Sequence, residues 1–216
     1  MEMLGVGELR AMMIHVSEKI IENESLLTQI DLQTGDGDHG TCMARGFRAV
    51  GELLAGKDFF LCAREIFKEI GMALIDHMGG TSGVVFGTLF ISGALGLPDA
   101  GGLTLGQFAD MLARSLDAIM KRGRAAPGDK TMVDALSPAV ESLLESAKNG
   151  VDPPLALGRA AEWAQAGVEG TKSMVAKAGR ARAYGERSLG HQDAGATSVY
   201  IMLSAMSEYM DTRAGD

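Results

Sequence analysis

Apolar side chains recur every three or four residues along nearly the whole chain, which is the spacing of one face of an α-helix. Four segments rich in glycine and polar residues interrupt this pattern, at 33–40, 79–83, 123–131 and 179–194. No stretch alternates convincingly between apolar and polar residues, as a half-buried strand would. Residues 1–216 contain no repeat and no linker, so we predict a single all-α domain.

The connections between the apolar segments are short, which favours antiparallel neighbours. We predict about eight helices in an up-down arrangement. The segment 84–95 is apolar on all sides and is expected to be the central helix. Thr104 and Gln107 are spaced as a capping box, which predicts a helix start. Asp152 precedes two prolines and should cap a helix that continues to about Lys177.

Charge and cysteine content exclude several classes of function. The formal net charge is −8, which opposes the phosphate contacts that drive nucleic-acid binding. The two cysteines, Cys42 and Cys62, form no CxxC pair, which fits a reduced, cytoplasmic setting. The N-terminus lacks the apolar region of a signal peptide, and the longest apolar stretch, 84–97, is too short to span a bilayer. We therefore expect a cytoplasmic protein with no nucleic-acid or membrane partner.

Three aspartates fall within eight residues at the first interruption, namely Asp31, Asp36 and Asp38. Carboxylates that point together repel one another unless a cation lies between them, and hard oxygen ligands suit Mg²⁺ or Ca²⁺. A helix should begin near Thr41, and its free amide groups could bind a phosphate. The alternative is a plain turn, which is common for Asp-Gly sequences.

An EF-hand is excluded at this loop, because position 12 would be Cys42 or Phe47 where glutamate is required. His39 is open to three interpretations. It could be a metal ligand, a phosphate contact or a structural hydrogen-bonding group.

The other three interruptions each have a functional and a structural interpretation. The glycines at 79–83 permit close approach of the backbone to a ligand, although no Walker A sequence follows. The segments 123–131 and 179–194 are either solvated loops or, through arginines and Asp193, contacts to a phosphate. Alternate loops of an up-down bundle lie at one end, so we predict that these segments share one site.

The segments at 35–40 (GDGDHG), 79–83 (GGTSG), 127–132 (PGDKTM) and 185–193 (GERSLGHQD) resemble those of dihydroxyacetone kinase L subunits, in order over nearly the whole chain. The resemblance implies an eight-helix barrel that binds ADP or ATP at one end. It implies two Mg²⁺ ions held by Asp31, Asp36 and Asp38. Many relatives have Asn in place of Cys42 and Pro in place of Ala194.

The resemblance also implies roles for further residues. His39 and Arg180 would take part in catalysis, with Arg180 or Arg187 adding positive charge. The nucleotide would be surrounded by residues from all four segments, namely His39, Gly40, Thr41, Cys42, Gly80, Thr81, Ser82, Gly123, Met132, Arg180, Asp193 and Ala194.

By the same resemblance, the chain passes a phosphoryl group to dihydroxyacetone, which a separate K subunit holds covalently on a histidine. The L subunit alone would then be inactive. A free-standing chain favours the version in which bound ADP is rephosphorylated by a phosphotransferase-system phosphocarrier, and such subunits can also signal to a transcription regulator. The alternatives are an ATP-dependent kinase for a short keto-sugar, a non-catalytic signalling module, and a metal-dependent phosphohydrolase.

Overall fold

The structure is a computed structural model that describes residues 2–57, 59–99 and 101–214. The predicted domain limits at 1 and 216 lie outside these residues. Within them the chain forms nine α-helices: α1 (Val6–Glu22), α2 (Glu24–Asp31), α3 (His39–Gly56), α4 (Ala63–Met78), α5 (Gly80–Ala94), α6 (Leu105–Gly123), α7 (Val133–Lys148), α8 (Pro153–Thr171) and α9 (Ala194–Ala214). A 3₁₀ helix (Arg180–Ser188) lies between α8 and α9.

The long helices form a closed ring. Each packs against the next in chain order, from α3 to α9, and α1 packs against both α3 and α9. The short helix α2 packs on α3 beside the ring. Their apolar faces form one continuous core that includes Phe47, Phe67, Phe90 and Phe108. The predicted all-α, up-down helical barrel is confirmed.

The start of α6 follows from its local sequence. The Gln107 backbone amide donates to the Thr104 hydroxyl at 3.2 Å, and the Thr104 amide donates to the Gln107 side chain at 2.9 Å. These bonds satisfy donors that the first turn of a helix leaves without partners. The predicted capping box is therefore present.

The helix α5 differs from its prediction. It lies in the ring between α4 and α6 rather than at the centre, so its central placement was wrong. Its close packing on α4 depends on glycine: a Cβ atom at Gly87 would lie 2.8 Å from the Gly71 carbonyl oxygen. The apolar composition of α5 therefore reflects tight contact with neighbours on both sides.

Three smaller expectations also need correction. A short strand β1 (Glu2–Leu4) pairs antiparallel with β2 (Leu103–Thr104), and segments this short carry no alternating pattern. The helix α8 ends at Thr171 rather than near Lys177. Asp152 stands at the start of α8 but its side chain makes no capping hydrogen bond. Among the described helices, none is long and apolar enough to cross a membrane.

Candidate functional site

The loop between α2 and α3 is organised by the carboxylate of Asp31, the last residue of α2. One oxygen of this carboxylate accepts hydrogen bonds from the backbone amides of Gly37, at 2.8 Å, and His39, at 3.3 Å. Gly37 adopts a left-handed backbone with φ of 78°. These bonds fold the loop back over the end of α2, so that its later carboxylates lie near Asp31.

The three aspartates predicted as metal ligands lie together. One oxygen from each of Asp31, Asp36 and Asp38 lies within 4.8 Å of the others. Asp38 stands at the start of α3, but its side chain does not cap that helix. The guanidinium of Arg180 pairs with Asp36, and with Asp38 at 3.3 Å. One guanidinium offsets only part of the charge of three carboxylates, so the cluster remains negative. Its hard oxygen donors fit a divalent cation such as Mg²⁺.

A cavity of about 590 Å³ opens beside this cluster, and all four glycine-rich segments contribute to its wall. This volume is typical of small-molecule sites. The wall is polar at the acidic loop and around Gly80, Thr81 and Ser82, and includes the apolar residues Met78, Val85, Phe86, Ile119, Ala125 and Met132. The prediction that the four segments come together at one end of the bundle is confirmed.

The opposite side of the mouth is the junction of α4 and α5. Gly79 has φ of 71° and ψ of 172°, a conformation that is open essentially only to glycine. Arg45 donates to the carbonyls of His77 and Met78, both at 2.6 Å, and so satisfies the end of α4. The first amides of α5, at Gly80, Thr81 and Ser82, have no partner within the helix. This is the arrangement that binds anions.

Two further carboxylates lie behind the mouth. Asp134 accepts from the amides of Gly128, at 2.5 Å, and Thr131, at 2.8 Å, and so closes the 127–131 loop. Asp193 lines the cavity and accepts from the Ala196 amide at 2.7 Å. Desolvation, with Asp134 and Asp31 adding to it, raises the pKa of Asp193 to about 6, while the Ala196 amide and Lys130 oppose the rise.

The sequence matches the family model of the DAK2 domain over residues 33–208. The chain belongs to the DAK2 domain family. The resemblance to dihydroxyacetone kinase L subunits is also confirmed, because DhaL subunits are similar over most of this chain.

Several known proteins are similar to most of this chain. The ADP-binding subunit DhaL of the PEP-dependent dihydroxyacetone kinase from Escherichia coli (strain K12) is 43% identical, over 84% of this chain and 86% of its own length. The ADP-binding subunit DhaL of the PTS-dependent kinase from Lactococcus lactis is 35% identical, over 89% of this chain and 91% of its own. The human triokinase/FMN cyclase is 32% identical over 91% of this chain.

A solved structure has the same fold. The dihydroxyacetone kinase from C. freundii, in complex with AMP-PNP and Mg²⁺, superposes with a TM-score of 0.72 and 28% identity over 93% of this chain. This chain spans 33% of the C. freundii protein and 34% of the human protein. It is therefore similar to one part of those longer chains and to nearly the whole of the DhaL subunits.

Most residues predicted to bind the nucleotide line the cavity of this DAK2 domain. They are His39, Cys42, Gly80, Thr81, Ser82, Gly123, Met132, Arg180, Asp193 and Ala194. Gly40 does not line it, because it is buried where α3 crosses α2, and a Cβ atom there would overlap the Glu24 carbonyl oxygen and Thr28. Thr41 is exposed, and its hydroxyl donates to the Asp38 carbonyl at 2.9 Å.

His39 is the predicted catalytic residue whose surroundings differ most from expectation. Its ring is buried and lies 2.9 Å from the Ser198 hydroxyl of α9. Burial lowers the pKa of His39, although Asp31 opposes this effect. Of the three interpretations left open for His39, the structural hydrogen bond is the one that this contact supports.

The roles of three polar residues around the cavity were not predicted, although Lys130 and Tyr184 lie in segments that the sequence singled out. Arg45 is an ordinary helical arginine by sequence, yet it holds the α4–α5 junction. Tyr184 donates its hydroxyl to the Gly35 carbonyl at 3.0 Å and so ties the 3₁₀ helix to the acidic loop. Lys130 is 1% exposed and lies within the wall. Each contact joins residues more than 30 positions apart, which local spacing does not reveal.

Proposed function

We propose that this chain is the nucleotide-binding subunit of a dihydroxyacetone kinase of the phosphotransferase-system-dependent kind. It binds ADP or ATP with Mg²⁺ and passes a phosphoryl group to dihydroxyacetone on a separate K subunit. One observation carries the proposal: a cluster of three carboxylates, two of which line the cavity, shares that cavity with an uncapped helix start. Phosphoryl transfer depends on positioning and charge neutralisation, which this arrangement provides.

The carboxylates of Asp31, Asp36 and Asp38 would hold the metal. Asp31 is fixed by two backbone amides, whereas Asp36 and Asp38 project from the loop and are exposed. The carboxylates would hold two Mg²⁺ ions, whose charge would neutralise that of the nucleotide phosphates. Phosphate oxygens and water would complete the coordination of each ion. The similar C. freundii kinase was crystallised with AMP-PNP and Mg²⁺, which supports this choice of metal.

The start of α5 would bind the phosphates. The amides of Gly80, Thr81 and Ser82 point out of the first turn, and the positive end of the helix dipole adds to their attraction for an anion. Gly79 and Gly80 carry no side chain that would keep a phosphate away. The apolar part of the wall, with Phe86, Ile119 and Met132, would receive the base.

Arg180 would supply positive charge on the outer side of the phosphates. Its side chain is 61% exposed at the mouth, and it is held beside the acidic cluster by Asp36 and Asp38. A planar guanidinium can donate two hydrogen bonds to one phosphoryl group. Cys42 and Ala194 would shape the wall of the pocket on the α3 and α9 sides.

The choice of phosphodonor follows the relatives of similar length. Those from E. coli and L. lactis are described as PEP- and PTS-dependent subunits. A phosphocarrier of the phosphotransferase system would then rephosphorylate bound ADP, and a transcription regulator is a further partner. The alternative is direct use of ATP, which is favoured by similarity to longer kinases such as the L-erythrulose 1-kinase of Mycolicibacterium smegmatis, at 36% identity.

Two measurements test the proposal. First, the purified chain is denatured and any released nucleotide is identified by mass spectrometry. Retained ADP supports the phosphotransferase version, whereas an empty site together with turnover on added ATP supports the alternative. Second, the chain is combined with a K subunit, dihydroxyacetone and each phosphodonor in turn. Absence of phosphorylated dihydroxyacetone with every donor would refute the kinase function and favour the signalling module.

Variants link the turnover to the site. Asp36→Asn should weaken Mg²⁺ and nucleotide binding together while leaving the helix content nearly unchanged, because Asp36 is exposed. The control is Asp110→Asn, an exposed aspartate on α6 that does not line the cavity.

Release of inorganic phosphate without any acceptor would instead identify a metal-dependent phosphohydrolase.

A further inference from the structure

The connection between α8 and α9 (residues 172–193) is the longest between helices of the barrel. It contains the 3₁₀ helix Arg180–Ser188, with irregular segments on either side. The connection carries Arg180 to the edge of the acidic cluster and brings Tyr184 against the Gly35 carbonyl. Its position over the mouth therefore decides where the Arg180 guanidinium lies.

Lys130 holds both ends of this connection. Its ammonium donates to the carbonyl oxygens of Thr171 and Ser188, both at 2.7 Å, to Met174 at 3.3 Å, and to His191. Thr171 and Met174 lie where the chain leaves α8, whereas Ser188 and His191 lie just before it enters α9. The buried ammonium of Lys130 thus joins the two ends of the 172–193 connection.

The ammonium is matched to these four carbonyls. An ammonium group has three N–H donors, so the four oxygens share them, and none of the four acceptors is a carboxylate. Loss of the donor would leave several carbonyls without a partner in a site where Lys130 is 1% exposed. Asp193 and Asp134 lie close enough to offset the positive charge.

The backbone around Lys130 is built to present this side chain. Lys130 has a left-handed φ of 62°, which a lysine rarely adopts. Gly128, two residues earlier, is also left-handed, with φ of 90°. The loop is fixed by the Asp134 carboxylate, which accepts from the Gly128 and Thr131 amides. The Lys177 amide donates to the Asp129 carbonyl at 3.1 Å and joins the same loop to the connection.

We propose that Lys130 is a positioning residue for phosphoryl transfer: by tying the two ends of the 172–193 connection together, it fixes Arg180 at the mouth of the cavity. Lys130 acts through Arg180 and does not itself touch the phosphates. The effect on turnover rests on the proposed function. The effect on the connection does not, and it is tested separately.

Limited trypsin digestion tests the tie directly. Arg180, Arg182 and Arg187 are cleavage sites within the connection. In Lys130→Met, cleavage at these sites should be at least about tenfold faster than in the wild-type chain, with cleavage in the helices unchanged. The control is Lys172→Met, whose exposed side chain pairs with Glu169 one turn earlier. An unchanged rate, or equal acceleration throughout the chain, would overturn the proposal.

A double-mutant cycle tests the route through Arg180. In the complete kinase, Lys130→Met should lower kcat at least about tenfold, with the KM for dihydroxyacetone changed less than about threefold. In an Arg180→Ala background the same substitution should have little further effect. Equal losses in both backgrounds would show that Lys130 does not act through Arg180.

Two outcomes would leave only part of these tests usable: absence of turnover in the wild-type chain, and failure of Lys130→Met to fold. If the wild-type chain shows no turnover with a K subunit, the proposed function fails and trypsin digestion alone decides the role of Lys130. If Lys130→Met does not fold, Lys130→Gln, which keeps two N–H donors, should give cleavage at an intermediate rate. Wild-type protection in a folded Lys130→Gln would count against the tie.

Discussion

Two helices begin at the mouth of the same cavity, and they begin in opposite ways. The segment before α3 carries three carboxylates, which suit a cation, whereas α5 begins at a pair of glycines and its free amides suit an anion. Glycine is required at both, but for different reasons. Gly40 gives α2 and α3 room to pack, and Gly79 adopts a backbone conformation that other residues avoid. Groups that suit a cation and groups that suit an anion therefore line the same cavity.

The largest effect is expected where a side chain would break packing at the start of α3. Gly40→Ala should lower the free energy of unfolding by about 3 kcal/mol, because the new Cβ meets backbone that cannot move separately from α2. Urea denaturation measures this loss. Gly51→Ala, later in α3, would make an ordinary contact at 3.7 Å with Ser17 and should cost nothing or stabilise. Equal costs at the two positions would contradict the packing role.

The next effect separates two carboxylates of the same cluster. Asp31→Asn and Asp36→Asn should each weaken Mg²⁺-dependent nucleotide binding by about 100-fold, measured by calorimetry. Only Asp31→Asn should also lower the melting temperature of the metal-free protein, because Asp31 accepts from the Gly37 and His39 amides. If both variants melt at the same temperature, the organising role of Asp31 is wrong.

At the start of α5 the expected cost is conformational rather than steric. Gly79→Ala should lower the free energy of unfolding by about 2 kcal/mol, since alanine is strained at φ of 71° and ψ of 172°. Nucleotide binding should weaken as well, because the amides that follow would turn away. Gly7→Ala in α1 is the control, as a Cβ there has open space. If Gly79→Ala is as stable as the wild-type chain, the conformational requirement for glycine at this position is wrong.

The smallest effect concerns Asp193, on a third side of the cavity. Its pKa is raised to about 6, which means that the folded protein favours the protonated carboxyl. The resulting contribution to the free energy of unfolding is complete below a pH of about 4 and is lost as the pH rises through 6. Asp193→Asn should therefore stabilise the nucleotide-free protein by about 1 kcal/mol at pH 7, with the gain reduced by solvent in the cavity. Urea denaturation between pH 4 and 8 measures the difference, and a pH-independent one would contradict it.

The sequence predicted those parts of the site that depend on close spacing. Asp31, Asp36 and Asp38 meet because they share one short loop between two helices. The same holds for Thr104 and Gln107, whose capping bonds span one turn. The end of α8 was placed too late, because apolar spacing continues beyond Thr171 although the hydrogen-bonded helix does not.

The parts that sequence reasoning missed depend on distant partners. His39 lines the cavity, but its hydrogen bond to Ser198, 159 positions along the chain, was not predicted. The sequence by itself determined the helices, the loops between them and the chemistry available in each loop, since these follow from local periodicity and residue type. Only the tertiary structure decided how Arg45, Lys130 and Tyr184 brace the loops and which side chains reach the cavity. Closure of the ring sets these contacts, and no local spacing encodes it.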